Sequence, residues 1–488
     1  MIRVFKHYIS RWSLLLVMLE SAWFYFSVYA GVTARFYGYP QPDDIHGDLL
    51  MPKAAFFALV MIVSMTAMGR YRHMLEGGVL GDGFVGESLN VFLSFLIGLI
   101  AVSMGFYLFP NMFIGRGAFA WSLLVALLGI LAIRWFFINY VMDMAHLKRR
   151  VLIYGAGSRA KLLGNFTDDR NVDHLFVGYW PVEGESVHVE EQYTLRDSRG
   201  LSHCVRAQAV DEIVIAHDDN LHEASMTEIL DCKTLGVRIL DLPGYFEREQ
   251  RMINMDVLGS CWWIFNSDGL SRGPLREITK KVFDIGSSLL ILFLGWPIML
   301  LTTVAIWIES RGKGPILFIQ DRVGYGGRII QVMKFRSMRT DAEKDGVARW
   351  AQKDDDRVTR VGRFIRKMRI DEMPQIFNVL KGEMSLVGPR PERPHFVDIL
   401  SNKIPYYKER LRVKPGITGW AQICYGYGAS EHDAAEKLKY DLYYVKNHGL
   451  FFDLLVLVHS MEVVLFGWGA SSPRWVETAE RRKRRQNK

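Results

Sequence analysis

Four long apolar stretches separated by polar segments dominate the first third of the chain, at about residues 12–32, 54–68, 89–109 and 119–142. Each approaches the roughly 20 apolar residues that an α-helix needs to cross about 30 Å of hydrocarbon, the second being the shortest. The pattern predicts a four-helix transmembrane bundle over residues 1–147. Cations orient it: Arg3, Lys6 and Arg11 precede the first stretch, Arg70 and Arg72 follow the second, and Lys148, Arg149 and Arg150 follow the fourth. By the positive-inside rule both ends face the cytoplasm, and the loop with Asp43, Asp44 and Asp48 lies outside. A cleaved signal peptide is excluded by the lack of a small-residue cleavage site and by the three further stretches.

The pattern changes at residue 148. The apolar run Val151-Leu152-Ile153-Tyr154 enters a glycine-rich turn, Gly155-Ala156-Gly157-Ser158-Arg159-Ala160, and reads as a strand leading into a helix. Two more strand-like runs, Ile213-Val214-Ile215-Ala216 and Val237-Arg238-Ile239-Leu240, extend an α/β pattern, so a Rossmann-like α/β module is predicted over 148–255. Ala160 replaces the third glycine of Gly-x-Gly-x-x-Gly, and no strand-end acid stands about twenty residues on to hold a ribose. The module is therefore expected to have a structural or regulatory role rather than to bind a dinucleotide.

A fifth apolar segment, 282–308, has cations on both flanks: Arg276, Lys280 and Lys281 before it, Arg311 and Lys313 after it. Both ends then belong on the cytoplasmic side. Pro297, near its middle, removes a helical hydrogen bond and is the expected bend of a re-entrant membrane helix over 275–311. The run 451–466 is broken by Asp453, His459 and Glu462 and suits an interfacial or packing helix.

Composition agrees with a membrane protein carrying soluble parts. Half of the 488 residues are hydrophobic, with 13 Trp and 29 Phe. Cys204, Cys232, Cys261 and Cys424 lie far apart with no Cys-x-x-Cys spacing, which argues against a zinc site or disulfide framework and fits a reducing compartment. The net charge of +8 gathers beside apolar runs and in the basic tail 476–488, with Arg481-Arg482-Lys483-Arg484-Arg485. That distribution points to an anionic lipid surface and not to nucleic acid.

The chemistry concentrates in Arg366-Lys367-Met368-Arg369-Ile370-Asp371-Glu372-Met373-Pro374-Gln375, followed by Ser385-Leu386-Val387-Gly388-Pro389-Arg390-Pro391. Adjacent carboxylates among cations are what phosphoryl transfer requires: one acid to attack, one to hold a divalent ion, and guanidinium groups to bind phosphoryl oxygens. A bare Asp-Glu pair is common on protein surfaces, so the context decides.

That context resembles the polyprenyl-phosphate hexose-1-phosphate transferases, large monotopic phosphoglycosyl transferases that initiate bacterial exopolysaccharides and O-antigens on a lipid carrier. The resemblance runs in order through Lys280-Lys281-Val282-Phe283-Asp284, Gly314-Pro315-Ile316-Leu317-Phe318-Ile319-Gln320-Asp321-Arg322-Val323-Gly324, and Lys334-Phe335-Arg336-Ser337-Met338. It continues through Asp356-Arg357-Val358-Thr359-Arg360-Val361-Gly362, the Asp371-Glu372 block, Asn378-Val379-Leu380-Lys381-Gly382-Glu383-Met384-Ser385 and Arg412-Val413-Lys414-Pro415-Gly416-Ile417-Thr418-Gly419-Trp420-Ala421-Gln422. Where the family often has Ser-Pro at the membrane bend, this chain has Trp296-Pro297.

The resemblance implies a mainly α-helical cytosolic catalytic domain over 312–475, resting on the inner face of the bacterial cytoplasmic membrane. Asp371 aligns with the family's nucleophile and Glu372 with the acid that holds Mg²⁺. Lys334, Arg336, Arg366 and Arg390 are expected around the substrate phosphates, with Arg369 a weaker candidate. Pro389 and Pro391 would stiffen the backbone around Arg390, and Gln375 with Pro374 would shape the turn after the acids. The implied partners are a UDP-sugar, with glucose or galactose expected, undecaprenyl phosphate, membrane lipid and a second copy of the chain. Two other classes are weaker. A nucleotide-sugar dehydratase or epimerase would need a Tyr-x-x-x-Lys couple, and no tyrosine here has lysine four residues on. A non-catalytic scaffold would not need Asp371-Glu372 in its full setting.

Overall fold

The computed structural model describes residues 2–4, 7–9, 11–38, 49–68, 71, 83–141, 148–163, 174–218, 223–258, 273–340, 356–425, 428 and 430–466. Asp43, Asp44, Asp48, Arg70, Arg72, Cys261 and the tail 476–488 lie outside the described residues. The chain divides into two compact units after Gln250.

In the first unit, α1 (Arg11–Arg35), α2 (Leu50–Ala67), α3 (Gly83–Leu108) and α4 (Arg116–Phe136) account for the four apolar stretches. Each is long and apolar enough to cross a membrane. They share one core built from Phe24, Phe57, Met61, Val91, Phe95 and Ile130. Inside it Glu20 of α1 pairs with Arg134 of α4 at 2.7 Å, and the Tyr71 hydroxyl donates to the same carboxylate. Neutralisation by a partner is what allows two charged groups to sit among apolar side chains.

The α/β part of this unit is a four-stranded parallel sheet of β1 (Arg149–Tyr154), β2 (His174–Trp180), β3 (Glu212–Ile215) and β4 (Arg238–Asp241), in the order β2-β1-β3-β4. Strands β1, β3 and β4 occupy the three apolar runs read from sequence. Strand β2 went unread because its Leu175, Phe176 and Val177 are followed by Gly178, whose φ of 157° accompanies a register shift against β1. Helices α5 (Leu201–Ala207) and α6 (Glu223–Thr234) bury Leu201, Val205, Ile229 and Cys232 against Leu152 and Ile213. Helix α7 (Leu242–Gln250) is fastened to the sheet by Arg248, which donates to the fully buried Glu212 at 2.8 Å.

The second unit begins its ordered elements with α8 (Pro274–Glu309), a 36-residue helix that continues through the exposed Pro297. Its buried residues are Asp284, Ser288, Gly295, Thr302 and Ile306, at spacings of four and seven that place them on one face. Large apolar side chains such as Leu290, Phe293, Trp296 and Leu301 are exposed elsewhere on the helix. An antiparallel hairpin follows, β5 (Leu317–Val323) with β6 (Ile329–Phe335), then α9 (Arg360–Lys367), a 3-10 turn (Ile370–Gln375) and α10 (Ile376–Leu380). Strand β7 (Ser385–Val387) pairs in parallel with β8 (Gly416–Thr418), and α11 (Pro394–Lys403) lies between them in sequence. Helices α12 (Trp420–Cys424), α13 (Glu431–Asn447) and α14 (Leu450–Phe466) complete it. The first half of α14 is a packing helix: Phe452, Asp453, Val456 and His459 are buried.

The buried face of α8 meets this unit along its length. Near one end, Asp284 accepts hydrogen bonds from the Ser385 hydroxyl (3.0 Å) and the Leu386 N–H (3.3 Å) of β7. Lys280 pairs there with the buried Asp453 at 2.8 Å. Near the other end, Ile306 forms a small core with Phe335 of β6 and Ile365 of α9. The carboxylate of Glu309 accepts the N–H groups of Arg360 and Val361, holding the start of α9 to the end of α8.

Candidate active site

The turn carrying Asp371 and Glu372 is shaped from both sides. The Thr359 hydroxyl accepts the Gly362 N–H at 2.9 Å and starts α9. The chain then reverses at Arg369, whose φ of 57° is a left-handed conformation that a non-glycine residue holds only where its surroundings enforce it. Asn378, fully buried on α10, fastens the following residues to β6. Its amide donates to Gln331 O (2.7 Å) and Glu383 (2.7 Å), and its carbonyl accepts the Met333 N–H (3.1 Å). Lys334, the next residue of β6, is thereby brought to the acids.

Both acids are buried, Asp371 at 9% exposure and Glu372 at 6%, yet their environments differ. Three cations converge on Glu372: Arg390 at 2.6 Å, Lys334 at 3.3 Å and Arg369 at 3.5 Å. Burial opposes its charge, but Arg390, Lys334 and Arg369 outweigh burial and hold its carboxyl well below the usual range. Among the described residues Asp371 Oδ1 has no hydrogen-bond partner. Burial, reinforced by the neighbouring Glu372 charge, pushes its carboxyl up to about 6. Burial also lowers Lys334, against the pull of Glu372. The pair is thus split into one locked anion and one oxygen free to react, a division of the kind that separates acid and base roles in paired carboxylates.

Arg390 reaches the acids from the segment after β7. Gly388 begins it where two backbones cross: a Cβ there would lie 2.3 Å from Lys414 O, so only glycine fits. Pro389 and Pro391 are both buried, and their carbonyls accept hydrogen bonds from Gly416 N–H (3.0 Å) and from Arg322 (3.0 Å). The Arg390 carbonyl accepts from Arg410 at 2.9 Å, and Arg410 is itself fixed by Asp441 at 2.8 Å.

Of the expected residues, Asp371, Glu372, Lys334 and Arg390 come together, and Gln375 is buried at the end of the same turn as the acids. Arg336 turns away and donates to Lys313 O at 3.2 Å. Arg366 is half-buried on α9, and the described ion pairs of the two acids do not include it. Arg369 takes that place, because the left-handed turn at its own backbone aims it back over Glu372. Asn378, Arg410 and Asp441 escaped the sequence reading as site residues. Their role is to hold other groups in place, and nothing in their spacing announces it.

The glycine-rich turn after β1 offers a second candidate and is filled by the chain's own acids. Glu185 accepts the Ala156 N–H at 2.8 Å, while Asp218 accepts those of Ser158 and Arg159 at 2.7 Å each. Three of the backbone donors that would cradle a phosphate are already used.

Comparison with known proteins bears on both units. Residues 275–467 match the family model described as bacterial sugar transferase. The UDP-N-acetylgalactosamine-undecaprenyl-phosphate N-acetylgalactosaminephosphotransferase of Aeromonas hydrophila is 48% identical over 201 residues, 41% of this chain and 47% of its own length, so the chain spans about half of that relative. The undecaprenyl-phosphate glucose phosphotransferase of Komagataeibacter xylinus is 31% identical over 458 residues, 88% of this chain and 80% of its own. The undecaprenyl-phosphate galactose phosphotransferase of Salmonella typhimurium is 38% identical over 206 residues, 39% of this chain and 41% of its own.

Proposed function

The chain belongs to the bacterial sugar transferase family, and on that premise we propose that it transfers a hexose 1-phosphate from a UDP-sugar to undecaprenyl phosphate. The product, a polyprenyl diphosphate sugar, would begin an exopolysaccharide or O-antigen unit. The observation that carries this reading is the asymmetry of the buried acids: an Asp371 Oδ1 unpartnered among the described residues beside a Glu372 fixed by three cations.

In this reading Asp371 Oδ1 attacks the phosphorus that bears the sugar. The bond from that phosphorus to the bridging oxygen breaks, the electron pair leaves with UMP, and an aspartyl phosphosugar forms. An oxygen of undecaprenyl phosphate then attacks the same phosphorus and Asp371 departs as carboxylate. Arg390, Lys334 and Arg369 stand where they can move from Glu372 to the donor's phosphoryl oxygens, offsetting charge between two mutually repelling anions. Arg410 and the two prolines hold Arg390 in position.

Asp371 and Glu372 offer hard oxygen donors, and the described residues contain no group of three or more His, Cys, Asp or Glu that could form a cage. Such a set fits Mg²⁺, which takes one or two carboxylates together with substrate phosphates. Glu372 would hold it, and when bound the ion supplies further charge neutralisation on the diphosphate.

The placement of α8 supports a re-entrant anchor. Its contacts with one soluble unit run from Asp284 to Ile306, about 33 Å of helix at 1.5 Å per residue, which matches the thickness of the hydrocarbon core. A helix that spanned the membrane would drag Ser385 and Phe335 to opposite faces. We infer that both ends lie on the cytoplasmic side, where nucleotide sugars are found, and that the α/β sheet is a Rossmann-like support.

The donor is proposed to be UDP-glucose or UDP-galactose, in line with two of the relatives. UDP-N-acetylgalactosamine is the second reading, favoured by the 48% match of the Aeromonas relative. The test is UMP release from a panel of UDP-sugars by the full chain in detergent, with Mg²⁺ and undecaprenyl phosphate. One donor should be turned over, and Asp371→Asn should lower its rate by at least about 10³-fold. Undiminished turnover in Asp371→Asn would remove the nucleophile assignment.

A further inference from the structure

The buried face of α8 contains a notch against the turn that carries the acids. Gly295 is buried in the middle of the stripe, while its neighbours Leu294 and Trp296 are more than half exposed. A Cβ added at Gly295 would stand 2.5 Å from the terminal methyl carbon of Met373, the only heavy atom outside its own helix within 4 Å of that point among the described residues. Met373 follows Glu372 directly, inside the 3-10 turn, and is itself followed by the φ-restricting Pro374. Among the hydrophobic side chains methionine has an unusually slender and adaptable tip, and glycine leaves the deepest seat a helix can offer.

We propose that Gly295 and Met373 are a size-matched positioning pair, in which the notch in α8 receives the methionine tip and sets the turn bearing Asp371 and Glu372 against the membrane helix. Neither residue touches substrate. They act through the acids by fixing how far the turn stands from α8, the element that also sets depth at the lipid surface. Three attachments then locate the site relative to the helix: Asp284 on β7, Gly295 on the turn, and Ile306 on β6 and α9. The middle one bears directly on the reacting group. Its position two residues before Pro297 also links the expected bend to the chemistry, since a change of helix direction there alters the seat of Met373.

This inference rests on the transferase reading for its kinetic arm and stands on a stability arm without it. The experiment uses the full chain in lipid nanodiscs as wild type, Gly295→Leu, Met373→Ala and the double variant. Kinetics with the active UDP-sugar and thermal unfolding are both measured. Leucine keeps the helix and its apolar exterior but fills the seat. It should lower kcat about 10-fold or more while leaving KM for the donor within about 2-fold, because the acids are displaced and most donor contacts are not. Met373→Ala in the same protein should restore kcat to within about 3-fold of wild type. A double variant no better than Gly295→Leu, or a Gly295→Leu enzyme with wild-type kcat, overturns the proposal.

If Gly295→Leu does not fold, Gly295→Ala takes its place, with an expected loss of about 3-fold that Met373→Ala reverses. If wild type turns over no UDP-sugar, the transferase reading is what has failed. The contact is then read from Tm alone, where non-additive shifts of the single and double variants support it and additive shifts refute it.

Discussion

At the residue scale, the site works by giving two neighbouring acids opposite surroundings. The adjacency of Asp371 and Glu372 was legible in the sequence itself, and Lys334 was legible through the ordered motifs that carry the family resemblance. The choice of Arg369 over Arg366 was not legible. It depends on one left-handed backbone angle, φ 57°, which charge and spacing do not report. A pH dependence follows. Burial and then Glu372 raise Asp371 to about 6, so the proposed attack by its carboxylate should weaken as pH falls below that value. In wild type kcat/KM for the UDP-sugar should fall as pH drops below about 6. Arg390 is among the cations that lower Asp371 and also holds Glu372, so Arg390→Gln should move this acid limb to higher pH as well as reduce the rate. A pH–rate profile of both proteins checks it, and an unmoved limb would exclude Asp371 as the titrating group. The same shift has a stability sign. The native Asp371 binds its proton more tightly than the unfolded chain does, so its contribution disfavours the fold progressively as pH rises from about 4 to about 6.

At the element scale, α8 joins membrane to catalytic unit through a face that is polar and small where a membrane helix would ordinarily be apolar. Hydropathy identified the helix and its flanking cations, because long apolar runs are unambiguous. It could not identify the docking face, since Asp284, Ser288, Gly295 and Thr302 matter only for what they meet. Asp284 is the residue to test. Removing its carboxylate strands the buried Ser385 hydroxyl and Leu386 N–H, at about 1–3 kcal/mol for each unsatisfied group. Asp284→Ala should therefore lower Tm by several degrees and cut UMP release, because β7 leads into Arg390. Asp284→Asn, which keeps an acceptor oxygen, should lose clearly less in both measurements.

At the scale of the whole molecule, the sequence already held the order of parts: apolar helices, an α/β sheet, one long membrane helix and a transferase segment. What it lacked were the links made by partners far apart in sequence, such as Glu20 with Arg134 and Lys280 with Asp453. The orientation of the catalytic unit can be tested directly. In intact cells a membrane-impermeant thiol reagent should leave single cysteines at Leu275 and Arg311 unlabelled and should label both after permeabilisation. Labelling of one alone in intact cells would mean that α8 crosses the bilayer.

The three cations gathered on Glu372 have a consequence for traffic through the site. With both acids ionised, these two carboxylates and three cations carry a formal charge of +1, yet all three cations already sit on a resident anion. On the proposed function, Glu372 would be a placeholder that a visiting phosphate has to displace. In that reading a lone phosphate or UMP would compete with the carboxylate on poor terms, whereas a diphosphate would bring enough oxygens to take over the cations together. Under the proposed mechanism such a site would discriminate against single phosphates without any gate, and the same resident carboxylate would help to expel the product.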